Sequence, residues 1–178
     1  LFMNRYLIKL LNELYFYFNK SNIDNVDIDT FFYPLDSIKK WNKIYGRKGF
    51  ISYQCSIPKK NSYNEIKKIL ETIKKEKIYS FFSVLKSMGK SDKDISFSQK
   101  GYTLVFDFPI YSTVYKVLDN LDELVKKNKG KIYLCKDSRI SRKRFIEINN
   151  EFMKKDFTAL RKTQKYFFES IQSKRLGI

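Results

Sequence analysis

The 178 residues contain no histidine. That absence excludes Ser-His-Asp nucleophilic catalysis, imidazole acid–base work and histidine-ligated metals. Only two cysteines occur, Cys55 and Cys135, 80 positions apart and without a CxxC pair. A zinc-cysteine site and a disulfide framework are therefore excluded as well. Glycine (6) and proline (3) are scarce, and no Gly-rich pyrophosphate loop is present. No apolar run approaches the ~20 residues of a membrane-spanning helix: the most apolar stretch, 1–18, is broken by Asn4, Arg5, Lys9, Asn12 and Glu13. The same stretch lacks the h-region and small-residue cleavage site of a signal peptide. Chemistry here must use Lys, Tyr and carboxylates, or a cofactor brought from elsewhere.

What the chain does have is core-forming material. Apolar types make up 43% and aromatics 17%, enough for one packed domain, or a domain with an appendage, and too much for a disordered chain. Thirty-six basic residues against 19 acidic ones give a net charge of +17, a balance that points to nucleic acid, anionic lipid or phosphate partners. Only seven of the basic residues are Arg, and the lysines run from Lys9 to Lys174 without gathering in one stripe. Together with an excess of Ile, Asn, Phe and Tyr, that spread reads as compositional bias and a solvated basic surface. The chain opens on Leu1, not Met, which fits a piece of something longer.

Met3, Leu7, Leu10, Leu11, Leu14 and Phe18 fall at helical spacing and predict an amphipathic helix over 2–19. Residues 20–30 read as a loop; Pro34 stops any helix through FFYPLD (31–36), and Asp36 is placed to cap a short helix ended by Gly46. From residue 50 the pattern changes to strand (50–57), helix opened by a Ser62/Glu65 capping box, strand (79–86), strand (102–108), helix opened at Ser112 and ended by Gly130, and strand (131–135). This β-α-β-β-α-β order predicts an α+β, ferredoxin-like split-βαβ antiparallel sheet with flanking helices. After it, Ser141 caps a further helix carrying Phe145, Ile148 and Phe152, and the tail FFESIQSKRLGI needs something to dock on.

In that topology the helices cover one face of the sheet. Ile51, Tyr53, Cys55 and Ile57, with Tyr102, Leu104, Phe106 and Phe108, alternate toward the helices; Ser52, Gln54 and Ser56, with Thr103, Val105 and Asp107, alternate toward the free face. Ser, Gln, Thr and Asp are too polar for core, so the free face is the candidate site. The same fold suits an RNA-recognition module, and Lys100, Gly101, Tyr102 and Val105 match the third-strand motif of such modules. Thr103, Leu104 and Asp107 depart from it: Leu104 removes a stacking platform and Asp107 repels phosphate. Weak, salt-sensitive RNA binding is the expectation, and an interaction domain without catalysis is the third alternative.

The segments FFYPLD (31–36), WNKIYGRKGFISYQ (41–54), VLKSMG (84–89), SFSQKGYTLVFDFP (96–109) and KIYLCKDSR (131–139) occur in this order. Together they resemble the C-terminal half of FAD-linked oxidoreductases of the decaprenylphosphoryl-ribose oxidase type, within the broader vanillyl-alcohol-oxidase-like class. The resemblance extends from about Asn12 to the terminal KRLGI. It implies a helical entry segment (1–49), a substrate-binding cap (50–135) and a C-terminal helical segment (136–178) that returns to an FAD-binding domain not contained in these residues. The implied partners are that domain, in the same gene or a separate chain, and a small sugar-like substrate, with no metal, nucleic acid being left to the alternative reading. The expected location is cytoplasmic, peripheral to the membrane if the substrate is a lipid-linked sugar.

Residue by residue, the resemblance implies that Lys136 is the catalytic and flavin-binding lysine, with Tyr133 and Gln54 at the cofactor. It implies that Ser52, Gln54, Lys86, Met88, Thr103 and Val105 line the substrate pocket. Ser52, Thr103, Val105 and Met88 stand where that type of enzyme has Gln, Asn, Cys and Phe, and Ile171 stands where it has Asp. The flavin-facing group is kept and the substrate-facing group has drifted, which leaves a sugar, polyol or related alcohol as the substrate class. The general base is not assigned within the chain. Asp137 and Arg139 are expected to pair with each other or to hold the KDSR turn, and the two cysteines are expected to be inert.

Overall fold

A computed structural model describes residues 5–19, 25–60, 62–91, 96–149, 156–164 and 167–178. Two helices, α1 (Arg5–Phe18) and α2 (Ile28–Phe32), lead into a 3-10 turn at Trp41–Tyr45. The sheet and its helices follow as β1 (Phe50–Pro58), α3 (Ser62–Lys75), β2 (Phe82–Met88), β3 (Gly101–Pro109), α4 (Val114–Lys127) and β4 (Lys131–Ile132). The chain closes with α5 (Arg142–Ile148), α6 (Asp156–Thr163) and α7 (Ile171–Leu176). Strand order is β2-β3-β1-β4, with every pair antiparallel. The architecture is α+β, with the helix-sheet alternation expected of a split βαβ unit.

One face of the sheet carries the core. Tyr53, Cys55, Ile57, Leu104, Phe106 and Phe108 meet Ile69 and Ile73 of α3 and Val114, Val117, Leu118, Leu121 and Val125 of α4. The α4 residues recur at three- and four-residue spacing, so a single stripe is buried along the whole helix. Gly130 ends the turn after α4 because β1 passes too close for a side chain: a Cβ there would lie 2.5 Å from the Ser56 carbonyl oxygen. Gly101 is needed for the same reason, its Cβ position lying 2.1 Å from the Ile57 oxygen.

Several local expectations are revised. The Ser62/Glu65 capping box does not form: Ser62 is the first helical residue and donates to the Lys59 carbonyl, while Glu65 accepts from Lys68 and from Asn128 of the turn after α4. Tertiary packing between α3 and the end of α4 has claimed the carboxylate. Strand β2 begins at Phe82, later than residue 79, and β4 ends at Ile132 because the chain turns into a 3-10 turn at Leu134–Lys136. Residues 28–30, read as loop, join Phe31 and Phe32 in α2, capped by the Asp27 side chain on the Thr30 amide. Asp36 caps no helix; the 3-10 turn starts from Lys40 in the left-handed region (φ 58°) and stops at Gly46 (φ 77°). Ser141 does cap α5, accepting from the Arg144 amide, but Phe152 lies outside the described residues. The terminal tail docks on the domain itself: Leu176 is fully buried and joins the core with Phe145. Among the described residues no helix is long and apolar enough to cross a membrane.

Candidate active site on the free face of the sheet

Registered cross-strand rows build the free face. One row is Tyr133, Gln54, Val105 and Val84; Tyr133 joins it through its amide, which donates to the Gln54 carbonyl at 2.9 Å. Toward one end lie Lys131, Ser56, Thr103 and Lys86, and toward the other Ser52, Asp107 and Phe82. Met88 pairs with Gly101 at the far end. The alternation read from the sequence along β1 and β3 holds, and the register of β2 and β4 adds their positions to the same face, away from α3 and α4.

The polar groups of the face are wired together. Gln54 Nε2 donates to Thr103 Oγ1 at 3.2 Å, and that hydroxyl donates to the Cys55 carbonyl at 2.9 Å. Ser52 Oγ donates to Asp107 Oδ1 at 2.5 Å. Ser56 is fully buried beneath Gln99, whose amide reaches its Oγ at 2.8 Å, and the ring of Phe97 lies 4.7 Å from that of Tyr133. The segment 96–99 therefore covers one end of the face and leaves the Gln54 and Ser52 rows as the open part.

Lys136 stands at the mouth of that part. The chain leaves β4 at Ile132 and turns immediately, so that Ser52, Gln54, Tyr133, Lys136 and Ser138, with Tyr53, Ile132, Asp137 and Arg139, line one narrow cleft of about 10 Å³. Half-buried Lys136 makes no ion pair with any described carboxylate, so its ammonium is uncommitted. A hydrogen bond with Cys135, followed by that residue's charge and by partial burial, pushes the Tyr133 phenol above its ordinary value and keeps it protonated at neutral pH. Val105 is buried between the rows, Thr103 is buried under Gln54, Lys86 is exposed opposite Thr103, and Met88 opens on a different cleft with Lys59 and Lys100. The structure thus gathers Ser52, Gln54, Tyr133 and Lys136, and sets Lys86 and Met88 apart from them.

The turn that carries Lys136 is held from both sides. Asp137 Oδ1 accepts the amides of Arg139 (3.1 Å) and Ile140 (2.9 Å), closing the turn on itself. Arg139 and Asp137 do not pair. Arg139 instead forks to Asp122 of α4, with both oxygens at 2.8 Å, and to Asp119 at 2.7 Å; Tyr53 adds its hydroxyl to Asp122 at 3.1 Å. Burial raises the Asp122 carboxyl above its ordinary value, and the Arg139 guanidinium works against that rise. On the other side, Arg175 of α7 binds Asp137 Oδ2 at 2.9 Å, and Gln172 Nε2 donates to the carbonyls of Leu134 (2.6 Å) and Asp137 (3.1 Å). Gln172 thereby brackets Lys136 from the backbone on each side of it. Nothing in sequence spacing marks Gln172 or Arg175 for this task, because the contact spans 35 or more positions.

Cys55 is fully buried and its thiol is pushed up to about 12, chiefly by burial, so it stays protonated and unreactive. Among the described residues no group of three or more His, Cys, Asp or Glu side chains is placed to hold a metal ion. The third strand is also out of phase with RNA recognition: Leu104 is buried against the helices and Asp107 lies on the free face, so the motif's base-stacking position has no access to a ligand.

The fold and cleft define a class: an α+β domain whose sheet face away from α3 and α4 presents amides and hydroxyls, with Lys136 at the cleft free of any described carboxylate. No protein-family model matches the chain. Over 144 residues, 80% of its length, the chain is 31% identical to the decaprenylphosphoryl-beta-D-ribose oxidase of Mycolicibacterium smegmatis. The chain belongs, over that stretch, to the FAD-linked oxidoreductases of the decaprenylphosphoryl-ribose oxidase type. The matched part spans 31% of that relative's length.

Proposed function

We propose that the chain is the substrate-binding part of an FAD-dependent oxidoreductase that oxidises an alcohol carbon of a sugar, polyol or sugar-phosphate-lipid substrate. The observation that carries this reading is the meeting of Lys136, Tyr133, Gln54 and Ser52 in one cleft on the free face, beside a turn braced by two helices. The residues suit a flavin. An ammonium without a carboxylate partner, half-buried at the cleft, is placed to face the negative charge that gathers on a flavin ring edge on reduction. Bound flavin would supply the two-electron acceptor. The chain's own residues orient the substrate: Gln54, held by Thr103, offers an amide at fixed height above the sheet, and Tyr133 offers a protonated phenol at the rim.

An FAD-binding domain, in the same gene or in a separate chain, is the partner this reading requires, and a lipid-linked sugar would bring the assembly to a membrane surface. The test is an ultraviolet–visible absorption spectrum of the full native gene product. A flavin band in the visible supports the reading and makes bleaching by candidate alcohols the next measurement. A spectrum without flavin, dominated by co-purifying nucleic acid, would replace it with RNA binding.

A further inference from the structure

We propose that Ser52 and Asp107 form a hydroxyl-binding subsite on the free face, an acceptor pair that takes one hydroxyl group of a polyol or sugar. The inference rests on the free face being the substrate face. Asp107 is only 5% exposed, yet the one described side-chain partner of its carboxylate is the Ser52 hydroxyl. The chain has 36 basic residues, and no described one forms an ion pair with Asp107. A buried carboxylate with most of its lone pairs unfilled is costly unless another donor arrives. Its surroundings are aromatic and neutral, with Phe82 opposite it in register and the Tyr45 and Phe50 rings 4.6 Å apart at the same end of the sheet. Asp107 is also felt at Tyr45, whose phenol burial pushes up first and the carboxylate's charge second.

The polarity of the pair follows from proton counting. Ser52 has one hydroxyl hydrogen and gives it to Asp107, so Ser52 Oγ turns only lone pairs toward the cleft it shares with Gln54, Tyr133 and Lys136. Lys136 can only donate, and the Gln54 amide nitrogen, with one N–H given to Thr103, has its second N–H left to donate. The Ser52–Asp107 pair is therefore an acceptor opposite a donor. A substrate hydroxyl that donates to Ser52 is held by a charge-assisted relay, hydroxyl to serine to carboxylate. Asp107 acts through Ser52 as a positioning residue.

The test uses the full-length, flavin-loaded protein with D-ribose and its singly deoxygenated analogues as probes, dissociation constants being read by ligand-observed NMR. In the native protein one deoxy analogue should bind at least about fivefold more weakly than ribose, the loss expected when a hydrogen bond to a charge-assisted acceptor is removed. Ser52→Ala and Asp107→Asn should each erase that difference. Asn keeps the shape but donates to Ser52 and turns its hydroxyl outward. Retention of the native discrimination in both variants, with flavin bound, would overturn the subsite and leave the oxidoreductase reading standing. A native protein that carries no flavin and binds no ribose would sink that reading and the subsite with it. If Asp107→Asn does not fold, Ser52→Ala decides the matter by the same measurement.

Discussion

The two faces of the sheet are built from alternate residues of the same strands, and they differ in what their side chains are tied to. On the helix face, Cys55, Ile57, Leu104, Phe106 and Phe108 are held by contact alone in a close-packed layer, with Tyr53 adding its hydroxyl to Asp122. On the free face, Ser52, Gln54, Thr103 and Asp107 are each committed to a particular hydrogen bond. Free energy of folding is concentrated on the first face, while the second is spent on placing groups. Polar groups wired to one another at fixed registration orient a ligand in a way that a packed hydrophobic layer cannot.

That contrast can be broken from either side. The largest loss should come from the helix face: Phe108→Ala, at a fully buried ring, is expected to cost about 3–5 kcal/mol in chemical denaturation. Next comes Arg139→Met, which leaves Asp122 buried without its cation, at about 3 kcal/mol near neutral pH. Its pH dependence has a definite sign. The folded-state carboxyl of Asp122 is already raised by burial, and loss of Arg139 raises it further. The folded variant then holds that proton more tightly than the unfolded chain does. Its deficit should therefore shrink as pH falls from neutral toward the ordinary carboxylate range, and a deficit independent of pH would mean that Asp122 is not the group left unpaired.

On the free face the effects should appear in function, not in stability. Lys136→Ala in the flavin-loaded enzyme should slow flavin reduction by at least about tenfold, or ~1.4 kcal/mol, in stopped-flow absorbance; an unchanged rate would remove Lys136 from the flavin. Gln54→Leu should weaken substrate binding and leave the melting temperature within about a degree of native, as expected for a surface group outside the core. The smallest effect should come from Gln172→Leu, which frees one side of the Lys136 turn. A loss of about 1 kcal/mol in the rate of flavin reduction, with the protein fully folded by circular dichroism, would show that α7 positions the lysine.

Much of this contrast was legible in the sequence, because a strand has a period of two and the strands are flanked by clear turn signals. The alternation in 50–57 and 102–108 assigned Ser52, Gln54, Thr103 and Asp107 to one face and the hydrophobes to the other. The five ordered blocks, four of them around the sheet, carried the resemblance to the oxidase type, local motif by local motif. What the sequence concealed was which polar residue meets which. The Ser62/Glu65 spacing has the form of a capping box, yet Asn128 and Lys68 claim Glu65. Asp137 and Arg139 are two apart and of opposite charge, yet Arg139 reaches α4 and Asp137 is reached from α7.

By itself, then, the sequence determined the β-α-β-β-α-β order of the sheet unit, the face on which the residues of β1 and β3 lie, and the chemistry open to a chain without histidine. Those follow from local stereochemistry and composition, which need no knowledge of distant residues. Only the tertiary structure decided that β4 breaks off at Ile132 so that Lys136 enters the cleft, and that Asp107 keeps Ser52 as an acceptor. It also decided that the terminal helix closes back on the Lys136 turn. Each of these depends on a hydrogen bond or a buried charge satisfied by a partner dozens of residues away, and such a partner is selected by the packing of the whole domain.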